Sequence, residues 1–346
     1  MLRNNKYGGN RLKKKAIALL SGGLDSTLAV KLMLEQGIEI VALNFKSPFC
    51  NCDGKDRDGC KSHAIKVAED FEVEIKVVHK GLEYLEVVRH PKFGYGSGIN
   101  PCVDCRIFSF QMAKDLMPTV GASFIVTGEV VGQRPMSQRK HPMFLIEKEA
   151  GLEGLIVRPL SAKLLPVTIP EKMGIVDREK LMGISGRSRK EQIKIARELE
   201  VEDYPCSSGG CLLTDQNFAK RLKDYFDHSE QNIWSEMKLL QIGRHFRVSS
   251  DLKVIVGRDE DDNKKLVAFK GSGDTLFQPD EFSGPVALAK GELSEEDREL
   301  IASIILRYGK VKENEYPSVS YQNGTSSGTL IAMAPIGDSV LDEMRV

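Results

Sequence analysis

The chain of 346 residues has little that would place it in a membrane or outside a cell. It contains no apolar run of about twenty residues, the length that spans a bilayer, and no apolar core of a secretory signal near its N-terminus. Its 49 basic and 49 acidic residues cancel, so the overall charge indicates neither a nucleic-acid nor a membrane partner. These absences predict a cytoplasmic protein with no membrane partner.

Charge is nevertheless distributed unevenly along the chain. Residues 240–346 hold 13 Lys and Arg against 18 Asp and Glu, so the remainder is mildly basic. The first 15 residues hold six basic residues and no acidic one. We interpret residues 1–15 as a basic tail that is either solvated or in contact with phosphate.

Disulfides are not expected, because cytoplasmic thiols are kept reduced. The seven cysteines also cluster, as Cys50, Cys52 and Cys60, as Cys102 and Cys105, and as Cys206 and Cys211. Clustering in a reducing compartment indicates metal ligation or sulfur chemistry.

Short apolar segments alternate with helical patterns in residues 16–180. The segments AIALL, IEIVALNF, EIKVVHK and SFIVTGE have strand length, and IVRPL at 156–160 is one more candidate. This alternation predicts an α/β fold with a doubly wound parallel sheet. A helical segment with a cysteine-rich loop follows at 181–240, where Ser188 and Glu191 form a capping-box pattern. A smaller α+β domain is predicted for 241–346.

The first strand ends in SGGLDS, and a helix begins there at once. Glycines let backbone N–H groups approach a polyanion, and the helix N-terminus adds positive charge. Ser21 and Ser26 offer hydroxyls, and Asp25 suits a Mg²⁺ ion that bridges phosphates. The loop matches neither the Walker A pattern nor the dinucleotide fingerprint.

SGGLDS resembles the PP-loop of the ATP pyrophosphatase superfamily, whose members adenylate a carbonyl or carboxyl oxygen and release pyrophosphate. TGEVVGQ, after a later strand, is similar to the second nucleotide motif of 4-thiouridine synthetases. These resemblances imply ATP and Mg²⁺ as cofactors. They imply an ATP site formed by Leu20, Ser21, Gly22, Gly23, Asp25, Ser26, Gly128 and Gln133, with Asp25 catalytic.

NPCVDC resembles a segment of bacterial 2-thiouridylases. Cys105 matches that family's first active-site cysteine, and Cys102 stands where that family has aspartate. In iron–sulfur-dependent thiouridine synthetases a C-x-x-C pair and one distant cysteine hold a [4Fe–4S] cluster. The resemblance therefore implies a cluster on Cys102, Cys105 and either Cys206 or Cys211. A persulfide relay between Cys105 and one of the distant cysteines is the alternative, and structural zinc or inert thiols stay open.

Two further segments bear on ligands and partners. Cys50, Cys52, Cys60 and His63 are enough for a tetrahedral Zn²⁺ site, although a charged substrate loop is equally open. Residues 252–292 resemble the RNA-binding module of NFACT proteins, with Leu276 and Gln278 where that module usually has Trp and His. A dimerisation or lid domain is the alternative for this part of the chain.

Together these patterns predict an ATP-dependent tRNA sulfurtransferase that synthesises thiouridine. Its partners would be tRNA and a sulfur donor, either sulfide or a persulfide carrier, and a homodimer is left open. One alternative is a PP-loop enzyme that inserts sulfur into, or amidates, a small molecule. The other is a non-catalytic RNA-binding or redox protein.

Overall fold

The computed structural model describes residues 13–50, 60–201, 204, 211–231, 233–311, 317–324 and 326–346, with only the backbone of 60–62. The chain divides into two compact units, Met1–Thr214 and Asp215–Val346. Among the described residues, no helix is long and apolar enough to cross a membrane. The finer division at residues 15, 180 and 240 stays a prediction.

A parallel five-stranded sheet forms the centre of the N-terminal unit. Its strands are β1 (Lys15–Leu19), β2 (Glu39–Lys46), β3 (Glu74–His79), β4 (Phe124–Thr127) and β5 (Ile156–Val157). They pair in the order β3-β2-β1-β4-β5. The order reverses between β1 and β4, and ligands of such sheets bind beyond the carboxyl ends of the strands at that reversal.

Helices cover both faces of this sheet. They are α1 (Leu24–Leu34), α2 (Cys60–Asp70), α3 (Leu82–Arg89), α4 (Cys102–Val120), α5 (Lys140–Ala150), α6 (Ile169–Lys172) and α7 (Lys190–Glu198). Because side chains alternate along a strand, Ala16 and Ala18 of β1 join a core with α1, α2 and α7. Ile17 and Leu19 join the core on the other face with α4 and α5. The predicted doubly wound α/β fold is confirmed.

Helix α4 begins at Cys102, so that both cysteines of C-x-x-C lie in its first turn. Two predicted local structures were wrong. The strand predicted at 156–160 ends at Val157. Helix α7 begins at Lys190 with Arg189 at its N-cap and no side-chain cap. The predicted capping box at Ser188 does not form because the helix starts too late for it, and the Ser188 hydroxyl accepts a bond from the Lys190 N–H instead.

The C-terminal unit contains an antiparallel sheet and five helices among its described residues. The strands are β6 (Arg244–Arg247), β7 (Lys253–Val256), β8 (Thr275–Pro279), β9 (Ala287–Lys290), β10 (Ser318–Gln322) and β11 (Ser327–Ile331), in the order β11-β10-β8-β9-β7-β6. The helices are α8 (Gln216–His228), α9 (Trp234–Leu239), α10 (Glu260–Ala268), α11 (Glu295–Tyr308) and α12 (Asp338–Met344). The predicted smaller α+β domain is confirmed.

Candidate active site

The loop after β1 presents backbone donors at the start of α1. Gly23 occupies the N-cap and supplies no side-chain cap, so the first turn of the helix keeps its N–H groups directed outward. The Ser26 hydroxyl donates to the Gly23 carbonyl at 2.8 Å and lies 3.1 Å from the Ser21 hydroxyl. Gly22 has φ of 78°, and a Cβ there would lie 2.7 Å from the Ala64 nitrogen. The loop therefore requires glycine at this position for both conformation and space.

The loops after β1 and β4 meet at Asp25. The Gln133 amide donates to Asp25 Oδ2 at 2.9 Å, and the Arg189 guanidinium lies 3.9 Å from the same oxygen. A Cβ on Gly128 would lie 2.4 Å from the Asp25 carbonyl oxygen, so only glycine allows this packing. The structure thus brings together Asp25, Gly128 and Gln133 from the two nucleotide motifs.

Asp25 also offers an unused ligand atom. Its Oδ1 is buried and has no hydrogen-bond partner among the described residues. Mg²⁺ in nucleotide sites is held by one or two carboxylates together with the phosphates of the substrate. This orphaned oxygen therefore fits Mg²⁺.

A buried ion network ties the second nucleotide motif to the cysteine helix. Glu129 is 1% exposed, and Arg158 is 3% exposed. Arg158 donates to Glu129 at 3.0 Å and pairs with Glu147, and Arg106 approaches Glu129 to 2.9 Å. Burial alone would raise the pKa of Glu129, but the two arginines lower it. Because Arg106 directly follows Cys105, the network fixes α4 against the loop after β4.

Cys105 is paired with a lysine that the sequence analysis did not identify. The Lys80 ammonium donates to the Cys105 sulfur at 3.0 Å, and Lys80 is only 5% exposed. Its nitrogen lies 4.4 Å from the ring centre of Tyr84, with the rings of Phe45 and Phe108 at 5.8 and 6.0 Å. The sequence holds one indication of a role for Lys80. This lysine directly follows β3, at the same edge of the sheet as the nucleotide loop.

The described thiols of this region differ in their ionisation. Burial alone would raise the pKa of Cys105, but Lys80 and a hydrogen bond from Tyr84 lower it. Burial raises the pKa of Cys102, whose sulfur accepts a bond from the Asn100 amide at 3.1 Å. Burial also raises the pKa of Cys211 to about 11, with Cys105 and Cys102 adding to the shift. Of these three thiols, Cys105 is the one whose surroundings favour the thiolate, which is the reactive form of cysteine.

Cys211 belongs to a short segment that packs beside α4. The Ile99 N–H, just before α4, donates to the Leu213 carbonyl at 2.9 Å. Cys211 itself forms an isolated antiparallel bridge with Cys50. Of the two distant cysteines, the structure places Cys211 near Cys105, whereas Cys206 lies outside the described residues.

The predicted metal sites are tested only in part. Across the described ranges, no three side chains of His, Cys, Asp or Glu form a group that could hold a metal ion. This finding concerns single metal ions, whereas the cysteines of an iron–sulfur cluster bind different iron atoms. The cluster on Cys102, Cys105 and either Cys206 or Cys211 therefore stays a prediction. The zinc set also stays a prediction, since Cys52 and the side chain of Cys60 lie outside the described residues and only Cys50 and His63 lie within them.

Comparison with known proteins supports this assembly of motifs. Residues 12–164 match the family model described as thiamine biosynthesis protein (ThiI). Residues 243–344 match the NFACT protein RNA binding domain. Both resemblances predicted from the sequence are thereby confirmed.

The individual relatives of this chain are distant. The tRNA-specific 2-thiouridylase MnmA of Pelotomaculum thermopropionicum is 24% identical over 259 residues, covering 67% of this chain and 64% of that protein. The chain therefore spans less than two thirds of that relative's length. A 4-thiouridine synthetase–RNA complex with bound ATP is 19% identical, covering 66% of this chain and 52% of that one, with a TM-score of 0.37. The U34-tRNA thiolase NcsA of Methanococcus maripaludis, solved with its [4Fe–4S] cluster, is 18% identical, covering 66% and 71%, with a TM-score of 0.33.

Proposed function

We propose that this protein is an ATP-dependent tRNA sulfurtransferase that converts a uridine into a thiouridine in the cytoplasm. The observation that carries the proposal is the continuous link between the nucleotide loop and the nucleophile. Gly128 packs on Asp25, and its neighbour Glu129 pairs with Arg106, which follows Cys105. The match to an RNA binding domain and the tRNA-specific 2-thiouridylase relative support tRNA as the acceptor.

Adenylation is the first step of the proposed reaction. The backbone N–H groups of residues 21–26 bind the phosphates of ATP, and a uridine carbonyl oxygen attacks the α-phosphate. Pyrophosphate leaves, and the uridine carbon now carries AMP as a leaving group. A Mg²⁺ ion held by Asp25 supplies charge stabilisation to the departing pyrophosphate when it is bound. Gln133 holds Asp25 in place through its amide.

Sulfur transfer is the second step, and Cys105 performs it. The terminal sulfur of a Cys105 persulfide attacks the adenylated carbon, and AMP leaves. Cys211 loses its proton to solvent and attacks the Cys105 sulfur. The persulfide S–S bond breaks, thiouridine is released, and a Cys105–Cys211 disulfide forms. The raised pKa of Cys211 keeps it protonated in the resting enzyme, so the persulfide is not attacked early.

The proposed step uses a Cys105 persulfide because the Lys80 ammonium, 3.0 Å from the Cys105 sulfur, favours the ionised form of that thiol. The cluster stays an open prediction, since Cys206 lies outside the described residues. Iron analysis of anaerobically purified protein tests this choice. Less than one iron per chain agrees with a persulfide. About four irons per chain would show that the sulfur carrier is a cluster and not a persulfide. The identity of the sulfur donor and a homodimer stay predictions.

Mass spectrometry of tRNA nucleosides tests the proposed function. Unthiolated tRNA is incubated anaerobically with the protein, ATP, Mg²⁺ and a persulfide donor, and is then digested to nucleosides. The expected product is a thiouridine that forms only with ATP and not with the Asp25→Asn variant. If the protein releases pyrophosphate but forms no thionucleoside, the acceptor is a small molecule and not tRNA. If the folded protein releases no pyrophosphate either, the proposed function is wrong.

A further inference from the structure

We infer that Cys50 is the resolving thiol for Cys211: the two cysteines form a disulfide that frees Cys105 after each sulfur transfer. The inference rests on the proposed function for the origin of the Cys105–Cys211 disulfide. It adds a role for Cys50 that is separate from metal binding.

The backbone pairing of the two residues carries the inference. Cys50 and Cys211 face each other in an isolated antiparallel bridge. The Leu212 N–H donates to the Phe49 carbonyl at 2.9 Å, one position outside the pair on each strand. In antiparallel ladders this arrangement makes the inner residues a non-hydrogen-bonded pair, with Cα atoms about 4.5 Å apart and side chains close together. That separation lies at the short end of the range that disulfides span.

Both segments are anchored on the side of the pair that Phe49 and Leu212 form. Phe49 is 1% exposed, and Leu213 is fully buried. The Phe49 ring packs 6.2 Å from the ring of Tyr84, the residue that hydrogen-bonds to Cys105. The buried side chains of Phe49 and Leu213 thus hold the Cys50–Cys211 pairing close to the residues that surround Cys105. Cys50 and Cys211 are each only partly buried and carry free thiols, so a reductant has access to them.

The surrounding charges give the exchange a direction. The Cys50 thiolate attacks the Cys211 sulfur of the Cys105–Cys211 disulfide, the old S–S bond breaks, and Cys105 leaves as a thiolate beside Lys80. The Cys50 proton passes to solvent, and no electrons enter or leave the protein. The Lys80 ammonium lies 3.0 Å from the Cys105 sulfur, and this positive charge stabilises Cys105 as the departing thiolate. A dithiol reductant then returns Cys50 and Cys211 to thiols.

Disulfide mapping on the full chain tests the pairing without tRNA. The reduced protein is oxidised with diamide, capped with N-ethylmaleimide and digested by trypsin without reduction. Cys50 shares its tryptic peptide, 47–55, with Cys52, and Cys211 shares its peptide, 198–220, with Cys206. Cys52→Ser and Cys206→Ser are therefore the matched controls for Cys50→Ser and Cys211→Ser. We expect the two peptides to be joined in the wild type and in both controls, and to be separate in the other two variants.

The opposite pattern, with the joined peptide lost in Cys52→Ser and kept in Cys50→Ser, would overturn the inference. So would one zinc ion per chain that protects Cys50 from N-ethylmaleimide. During thiolation without reductant, Cys50→Ser is expected to complete one turnover and to accumulate the Cys105–Cys211 disulfide, whereas the wild type accumulates Cys50–Cys211. If the joined peptide forms but no variant makes thiouridine, the proposed function fails and the pairing stands.

Discussion

The Nζ atom of Lys80 lies 3.0 Å from the Sγ atom of Cys105, beneath the ring of Tyr84. A lysine that is 5% exposed normally needs an anionic partner, because burying an unpaired charge is costly. The Cys105 sulfur fills that position, and the aromatic rings add cation–π attraction. The contact therefore favours the ionised form of the thiol at the first turn of α4.

Replacing Lys80 by methionine is expected to raise the pKa of Cys105, because the substitution removes the charge and keeps the length of the side chain. At pH 7 the rate of Cys105 alkylation by iodoacetamide should fall, by at most about tenfold for each unit by which the pKa rises. The rate at high pH, where the thiol is fully ionised, should not fall. The measurement is a pH profile of alkylation at Cys105, followed by peptide mass spectrometry.

Lys92→Met is the matched control, because Lys92 is exposed and pairs with Glu149 at 2.6 Å. Its profile should coincide with that of the wild type. A Lys80→Met profile with an unchanged midpoint would show that Lys80 does not control the ionisation of Cys105.

Asp25→Asn is expected to reduce pyrophosphate release at least about 100-fold, since a metal ion at the phosphates contributes several kcal/mol to the barrier. The fold should survive, because the amide keeps the size of the side chain and can accept from Gln133. Pyrophosphate release and the thermal midpoint are measured together. If Asp25→Asn releases pyrophosphate at the wild-type rate, Asp25 has no role in the reaction. Asp70→Asn is the control, because Asp70 is an exposed residue at the end of α2.

Gly128→Ala is expected to weaken ATP binding and to lower the free energy of unfolding by about 1–3 kcal/mol, the usual cost of overpacking. The added methyl group would lie 2.4 Å from the Asp25 carbonyl oxygen, which is backbone and cannot rotate away. Gly183→Ala is the control, since its methyl group would meet Lys163 Cβ at an ordinary 3.5 Å. Calorimetric titration with ATP and urea unfolding measure the two effects. Equal behaviour of the two variants would contradict the packing argument.

Glu129→Gln is expected to destabilise the N-terminal unit by about 3 kcal/mol at pH 7, because it leaves Arg158 with one fewer anionic partner in a buried site. The pKa of Glu129 is lower in the folded protein than in the unfolded chain. Its stabilising contribution is therefore complete above about pH 4.5 and is lost as the pH falls below that value. Urea unfolding at pH 7 and at pH 3.5 measures the difference between variant and wild type, which should shrink at the lower pH. A difference that stays constant with pH would show that the charge of Glu129 is not what stabilises the fold.

The sequence predicts the parts of this protein whose signals are local. Strand–helix alternation indicates the parallel sheet, and SGGLDS indicates the phosphate loop, because each depends on neighbouring residues. The contact between Lys80 and Cys105 could not be predicted, because a lysine after a strand is usually exposed and Cys105 lies in a helix that is distant in the sequence. The pairing of Cys50 with Cys211 is equally invisible, because it joins segments far apart in the chain.

The ion pair between Glu129 and Arg106 has a consequence for the timing of the reaction. Glu129 follows the glycine that rests on Asp25, and Arg106 follows the cysteine that carries the sulfur. In the proposed reaction, one buried ion pair therefore joins the loop that activates the uridine to the helix that carries the attacking cysteine. We expect this ion pair to keep the two groups at a fixed separation, so that attack follows activation without a large movement of the chain.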